Sequence, residues 1–362
     1  MSTQRIASLD SIRGLAALGV VLTHCTGVYS DPPAWVTHLP LSLVLWSGHG
    51  FVLVFFALSG FVLFIPFKRG NVAYAPYLVK RVARLYPPFV VAVLLSAALY
   101  TLVDHRPIAG LNEWFNRTSW EHAPTAKIII GHLMMTDRRD LQDLDNVMWS
   151  LVHEMRISVV FPVIAWCVLR DWRSATAVAL IVSIVGAYMT QHHPLFVMGM
   201  APFDTLQYVF LFAAGAGLCL YSDALRVRVN RRPRSLALIA LAAALALLAT
   251  PFDVAVVNIT LGSFAALSIV AIAASGVFDR ALLRSIPVWL GRVSYSLYLI
   301  HLVVLLVLVH LFIRRMPLMA ILCCTVVLSL LIAELMYRWV EKPSISAGKA
   351  FSGAFFPISA AH

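Results

Sequence analysis

Charged residues are scarce in this chain: Asp, Glu, Lys and Arg make up 12% of its 362 residues. A soluble domain carries about 25%, so a soluble globular fold is excluded. Acidic residues are the scarcer sign, 17 against 28 basic ones, leaving a net charge of +11. That balance can signal nucleic acid, but here Arg and Lys collect in alternate loops between apolar runs. Such alternation is a membrane topology signal, and no nucleic-acid partner is expected. Cysteine is sparse too. Cys25, Cys167, Cys219, Cys323 and Cys324 all fall in apolar stretches, with no CxxC pair and no Cys/His ligand spacing. Neither a disulfide framework nor a bound metal is expected. Internal repeats and low-complexity tracts are also missing, and no appended soluble domain is expected.

What the chain has is apolar length: 60% of residues are hydrophobic and the mean hydropathy is +0.85. Crossing a bilayer takes about 20 apolar residues, and about ten stretches approach that. They cover residues 14–30, 43–65, 86–103, 149–168, 174–190, 203–221, 235–250, 254–275, 288–312 and 318–339. The expected fold is an all-α, polytopic transmembrane helix bundle: one membrane domain over residues 1–345 and a short cytoplasmic tail over 346–362. No small-residue cleavage site follows the first apolar run, which reads as a retained helix and not a signal peptide. With the N-terminus cytoplasmic, the basic loops around Lys68, Arg84, Arg173, Arg231 and Arg284 all fall inside, as does the C-terminus; Arg314 and Arg315 are the exception. The longest non-spanning segment, 104–148, faces outward and holds Trp114, Trp120, Asp137, Arg138, Arg139, Asp140, Asp143 and Asp145. Its weakly apolar stretch 127–135 is too short to span and reads as re-entrant or interfacial.

Polar residues inside the apolar runs are functional candidates, because a titratable group in the bilayer is costly. Arg13 and His24 lie on the first run. Eleven helical positions return them to nearly one face, about 16 Å apart. His24 then sits near mid-bilayer, with Arg13 at the interface. Lys80, Arg81 and Arg84 share a helix face ahead of Pro87-Pro88; they suit a topology anchor or a phosphate grip. Ser59-Gly60 suits close helix packing. Trp149-Ser150-Leu151 precedes His153-Glu154, and Glu154 can serve a site or pair with Arg156. Ser294, Tyr298 and His301 fall on one helical face, and Glu334 lies in the last run.

The ordered set resembles the membrane-bound acyltransferases of family 3, bacterial enzymes that O-acylate surface glycans. The matching pieces are Leu9-Asp10-Ser11-Ile12-Arg13-Gly14 with His24, Phe56-Ala57-Leu58-Ser59-Gly60-Phe61, and Arg81-Val-Ala-Arg84-Leu-Tyr-Pro87. Trp149-Ser150-Leu151 with Glu154, Ser294-Tyr295-Ser-Leu-Tyr298-Leu-Ile-His301 and Glu341-Lys-Pro343 complete it. Where the family has two consecutive acidic residues, this chain has Glu154-Met155, with Arg156 next.

The resemblance implies a bacterial inner-membrane enzyme with both termini cytoplasmic. It would move an acyl group, acetyl by preference, from acyl-CoA to a hydroxyl of a glycan or lipid-linked saccharide. His24 is then the general base, with Arg13 and Glu154 beside it at the catalytic centre. Arg13, Lys80, Arg81, Arg84 and Ser59 would hold the acyl-CoA; Trp149, Ser150, Tyr298 and His301 would contact the acceptor or line the cavity. No metal takes part in this reading. A competing reading is a proton-coupled transporter or flippase in which His24, His301 and Glu334 relay protons.

Overall fold

The structure, a computed structural model, describes residues 3–38, 42–70, 72–104, 106–136, 143–195 and 201–356. Asp137, Arg138, Arg139 and Asp140 lie outside the described residues. The principal helices in chain order are α1 (Thr3–Thr26), α2 (Gly48–Arg69), α3 (Tyr74–Tyr100), α4 (Ala126–Leu133), α5 (Met148–His192) and α6 (Val209–Leu220). They continue with α7 (Ser222–Asn230), α8 (Arg234–Ala249), α9 (Ala255–Ser275), α10 (Ser285–Phe312), α11 (Leu318–Met336) and α12 (Lys342–Phe355). Among the described residues the only pairing outside helices is an isolated bridge between Tyr29 and Leu111.

Among the described residues seven helices are long and apolar enough to cross a membrane, or eight if α7 and α8, bent by 116°, form one broken span. The protein is thus an all-helical, multi-pass membrane bundle. Each of the ten apolar stretches read from the sequence is largely helical. The first falls short of spanning apolarity because α1 carries Asp10, Arg13 and His24.

Helix α5 covers two of the stretches. Its 45 residues are about twice what a bilayer needs. Asp171 breaks it, with φ −153° and ψ 99°, and accepts from Arg173 N at 3.0 Å and from Ser174 Oγ at 2.5 Å, as a helix cap does. The chain folds back there. His153 bonds Thr205 Oγ1 and Ser183 bonds the Leu206 carbonyl, so residues thirty apart on α5 reach the same level.

The most extensive helix contact is α1 on α10, and two glycines set it. A Cβ on Gly14 would lie 2.3 Å from the Gly291 nitrogen, and one on Gly291 would lie 2.4 Å from the Asp10 carbonyl oxygen. Only glycine permits that approach, as in other membrane helix pairs. A second crossing joins α2 to α6, where a Cβ on Gly60 would sit 2.3 Å from the Phe212 oxygen. The packing reading of Ser59-Gly60 therefore holds for Gly60.

The segment between α3 and α5 is tied down at two depths. Trp120 Nε1 donates to Ser96 Oγ at 2.9 Å, and Tyr86 OH donates to the Leu133 carbonyl at 2.8 Å. Ser96 and Tyr86 are ten residues apart on α3, about 15 Å. The C-terminal end of α4 thus packs on α3 nearer its Arg-rich end than Trp120 does. At the other end of the chain, no break marks residue 345. A π-helical turn at Tyr337–Glu341 leads into α12, which runs to Phe355 and packs along α3.

Candidate active site

From the Gly14–Gly291 crossing, α1 and α10 run in the same direction. Ten residues on, about 15 Å, each carries a histidine. His24 Nδ1 lies 2.8 Å from His301 Nε2, and the two rings stack with centroids 5.1 Å apart. His301 Nδ1 is 3.1 Å from the Leu297 carbonyl. A carbonyl only accepts, so His301 donates there and its Nε2 accepts from His24 Nδ1–H. In an uncharged pair this chain of bonds leaves His24 Nε2 with its lone pair unused. His301 is buried and His24 half-buried.

A third ring caps the pair. Trp114, from the segment after α3, stacks on His24 with centroids 5.0 Å apart. Asn112 places it: its backbone N donates to the Val28 carbonyl, and its side chain donates to Tyr29 O and accepts from Trp114 N. Sequence reading named Trp114 only as part of the long segment. Asparagine two positions ahead of an aromatic was the available signal, and it marks a helix cap but not a long-range partner.

The second half of the site is a large cavity, about 1540 Å³, opening on the side of the Arg-rich loops. Six cations line it: Arg13, Arg69, Lys80, Arg81, Arg84 and Lys349; Glu154 is the one carboxylate among the lining residues. Two of the four predicted phosphate-gripping cations are tied to carboxylates. Arg13 is bonded to Asp10 at 2.6 Å. Arg81 forms a mostly buried ion pair with Glu154 across α3 and α5, its Nε donates to Ser158 Oγ at 2.9 Å, and Ser59 Oγ donates to the same carboxylate at 2.6 Å. Arg84 makes no hydrogen bond or ion pair among the described residues, nor does Lys80. The Arg84 guanidinium therefore keeps its five donors for an anion.

Glu154 does not pair with Arg156, whose guanidinium instead reaches the Met135 carbonyl at 3.1 Å. Ser150 and Tyr298 close the inner end of the cavity, Ser150 Oγ lying 2.8 Å from Tyr298 OH. The Tyr298 ring centroid is 6.0 Å from that of His301, which stands behind it with His24. Neither histidine lines the cavity itself. Trp149 is set apart from Ser150, stacking on His49 with centroids 5.7 Å apart. Glu334 is bonded to Trp289 Nε1 at 2.7 Å and to Arg338 Nε at 2.5 Å. Trp289 precedes His301 by twelve residues, about 18 Å. A relay joining Glu334 to the imidazoles has no geometric support.

Residues 6–338 match the family model Acyl_transf_3, described as an acyltransferase domain. The chain belongs to that family. A relative of this acyltransferase, "Protein 2 in picA locus" from Rhizobium radiobacter, is 30% identical over 167 residues, covering 44% of this chain and 81% of the relative. No solved structure matches the acyltransferase significantly. The matched region takes in both histidines and all the cavity cations except Lys349.

Proposed function

We propose that this acyltransferase moves an acetyl group from acetyl-CoA to a hydroxyl of a cell-surface glycan or a lipid-linked precursor, in the bacterial inner membrane with both termini cytoplasmic. The observation that supports it most is the Leu297–His301–His24 hydrogen-bond chain, which leaves His24 Nε2 as an unused base. His24 removes the acceptor's O–H proton while the oxygen bonds the thioester carbonyl carbon. The C–S bond then breaks, and the proton passes from His24 to the departing coenzyme A sulfur. A positioned imidazole acting this way contributes about 10²–10⁴-fold. His301 holds the tautomer and orientation of His24, as the third group does in hydrolase triads.

The cavity cations fit the donor's phosphates. Arg84 grips directly, and Lys80 and Arg69 add charge at the mouth. Arg81 and Glu154 hold α3 against α5 and set the wall from which Arg84 projects. Tyr298 is the partition between the donor cavity and the imidazole pair, so the acetyl end passes this ring to react. The test is transfer from radiolabelled acetyl-CoA by purified protein without an ion gradient, alongside mass spectrometry of surface glycans from cells with and without the gene. Acetylation that depends on the protein and on His24 is expected. Undiminished transfer by the His24→Ala protein overturns the assignment.

A further inference from the structure

The end of α2 opposite Arg69 carries a second pocket of different chemistry. His49 and Arg69 are twenty residues apart on one helix, about 30 Å. The pocket, about 480 Å³, lies between α2, α8 and α9, within the size range of small-molecule sites. It has a floor made by close helix approach: a Cβ on Gly50 would lie 2.8 Å from Leu248, and one on Gly262 would lie 2.7 Å from Leu53. Among the described residues no Asp, Glu, Lys or Arg lines it. The fold leaves its polar groups unused: the Trp46 indole N–H, the His49 ring and the Asn258 amide make no hydrogen bond among the described residues. Trp46 is 44% exposed, so its indole is accessible as well.

The segment that carries this pocket packs on the turn of α1 that holds His24. A Cβ on Gly48 would lie 2.8 Å from Thr23, the residue before His24. Thr26 Oγ1 donates to the Leu45 carbonyl at 3.2 Å, binding the pocket's edge to the same turn of α1. His49 in turn stacks on Trp149, whose neighbour Ser150 bonds Tyr298. The pocket and the cationic cavity thus lie towards opposite ends of α2.

We infer that the pocket is the acceptor subsite and that it takes an uncharged sugar residue. An accessible indole suits the C–H faces of a sugar ring, while imidazole, amide and hydroxyl groups suit its alcohols. The absence of charge disfavours phosphate or an acidic sugar. A lipid chain fits better elsewhere, in the groove of Val79, Val82, Ala83, Ala347, Gly348 and Phe351 between α3 and α12. The inference rests on the acyl transfer proposed above, and the test separates the two.

Trp46→Ala, Trp46→Phe and Asn258→Ala proteins are assayed for acetyl-CoA binding by calorimetry and for acetylation of the host glycan by mass spectrometry. Trp46→Ala and Asn258→Ala are expected to lower acetylation about tenfold while acetyl-CoA affinity stays within about twofold, and Trp46→Phe to restore most of the loss. As a second arm, Asn258→Cys cells are treated with a membrane-impermeant maleimide, with the unsubstituted protein controlling for Cys323 and Cys324. Labelling is expected to block acetylation without lowering acetyl-CoA binding. Full acetylation by both alanine variants, or by the labelled Asn258→Cys protein, overturns the subsite while leaving transfer itself intact. Absence of transfer and of acetyl-CoA binding in the unsubstituted protein overturns the underlying reading instead.

Discussion

The two ends of the bundle handle charge in opposite ways. On the side of the Arg-rich loops, six cations and one carboxylate line a cavity of about 1540 Å³. Around His24, His301 and the pocket at His49, hydrogen bonds and ring stacking do the positioning, and among the described residues no Lys, Arg, Asp or Glu lines that pocket. On the proposed function, the difference separates binding from chemistry. Arginines near the interface can reach water and hold a highly charged ligand, whereas full charges at bilayer depth are costly. The cationic end is itself divided: Arg81 is committed to Glu154, and Arg84 is left open.

The sharpest way to break this comparison is at the imidazoles. His24→Ala should lower acetyl transfer by about 10²–10⁴-fold with acetyl-CoA binding preserved, read by initial rates and calorimetry. His301→Ala should cost less, about tenfold to a hundredfold, because His24 remains and only its orientation is lost. His301→Gln should recover part of the rate, since its side-chain carbonyl can accept from His24 Nδ1–H. Equal loss in both His301 variants would mean that His301 does more than position its partner.

Next come the arginines, which should part company. Removing Arg81 strands the Glu154 carboxylate and should cost about 3–5 kcal/mol of stability, visible as a drop in thermal midpoint in detergent. The Arg81→Met, Glu154→Leu double substitution should recover most of that stability. Arg84→Ala should leave the midpoint nearly unchanged and weaken acetyl-CoA binding about tenfold. If Arg84→Ala destabilises as much as Arg81→Ala, both are structural and the division between them fails.

The smallest expected effect lies at Asp145, just before α5. Its carboxylate is buried, and burial pushes its acid dissociation well above the ordinary carboxylate range. A group whose folded-state value is raised contributes stability that is complete below its unfolded value, about pH 4, and lost as pH rises through the folded one. Asp145→Asn should therefore flatten the fall in thermal midpoint between acidic and neutral pH. An unchanged slope would point to other groups, Asp143 among them, whose carboxyl burial also raises.

Much of this was legible in the sequence because it depends on local pattern. The apolar stretches and the placement of Arg13 and His24 on one helix follow from spacing alone, as does the reading of 127–135 as too short to span. The fold-back at Asp171 also has a local signal, an acidic cap between two apolar runs. Pairing was not legible. Glu154 has Arg156 two positions away but bonds Arg81, 73 residues distant in sequence. Trp114 covers His24 because Asn112 is bonded to the end of α1, a contact without sequence periodicity.

Composition and the positions of polar residues were enough to determine a helical membrane protein with rare titratable groups at bilayer depth, since the bilayer's demand for apolar length and satisfied backbone acts on each segment separately. Which of those groups meet was decided only by packing. Gly14 and Gly291 let two helices touch, and that contact brings His24 to His301 ten residues further on. A register between helices 277 residues apart in the chain is a property of the assembled bundle, because close approach depends on the shapes of both partners together.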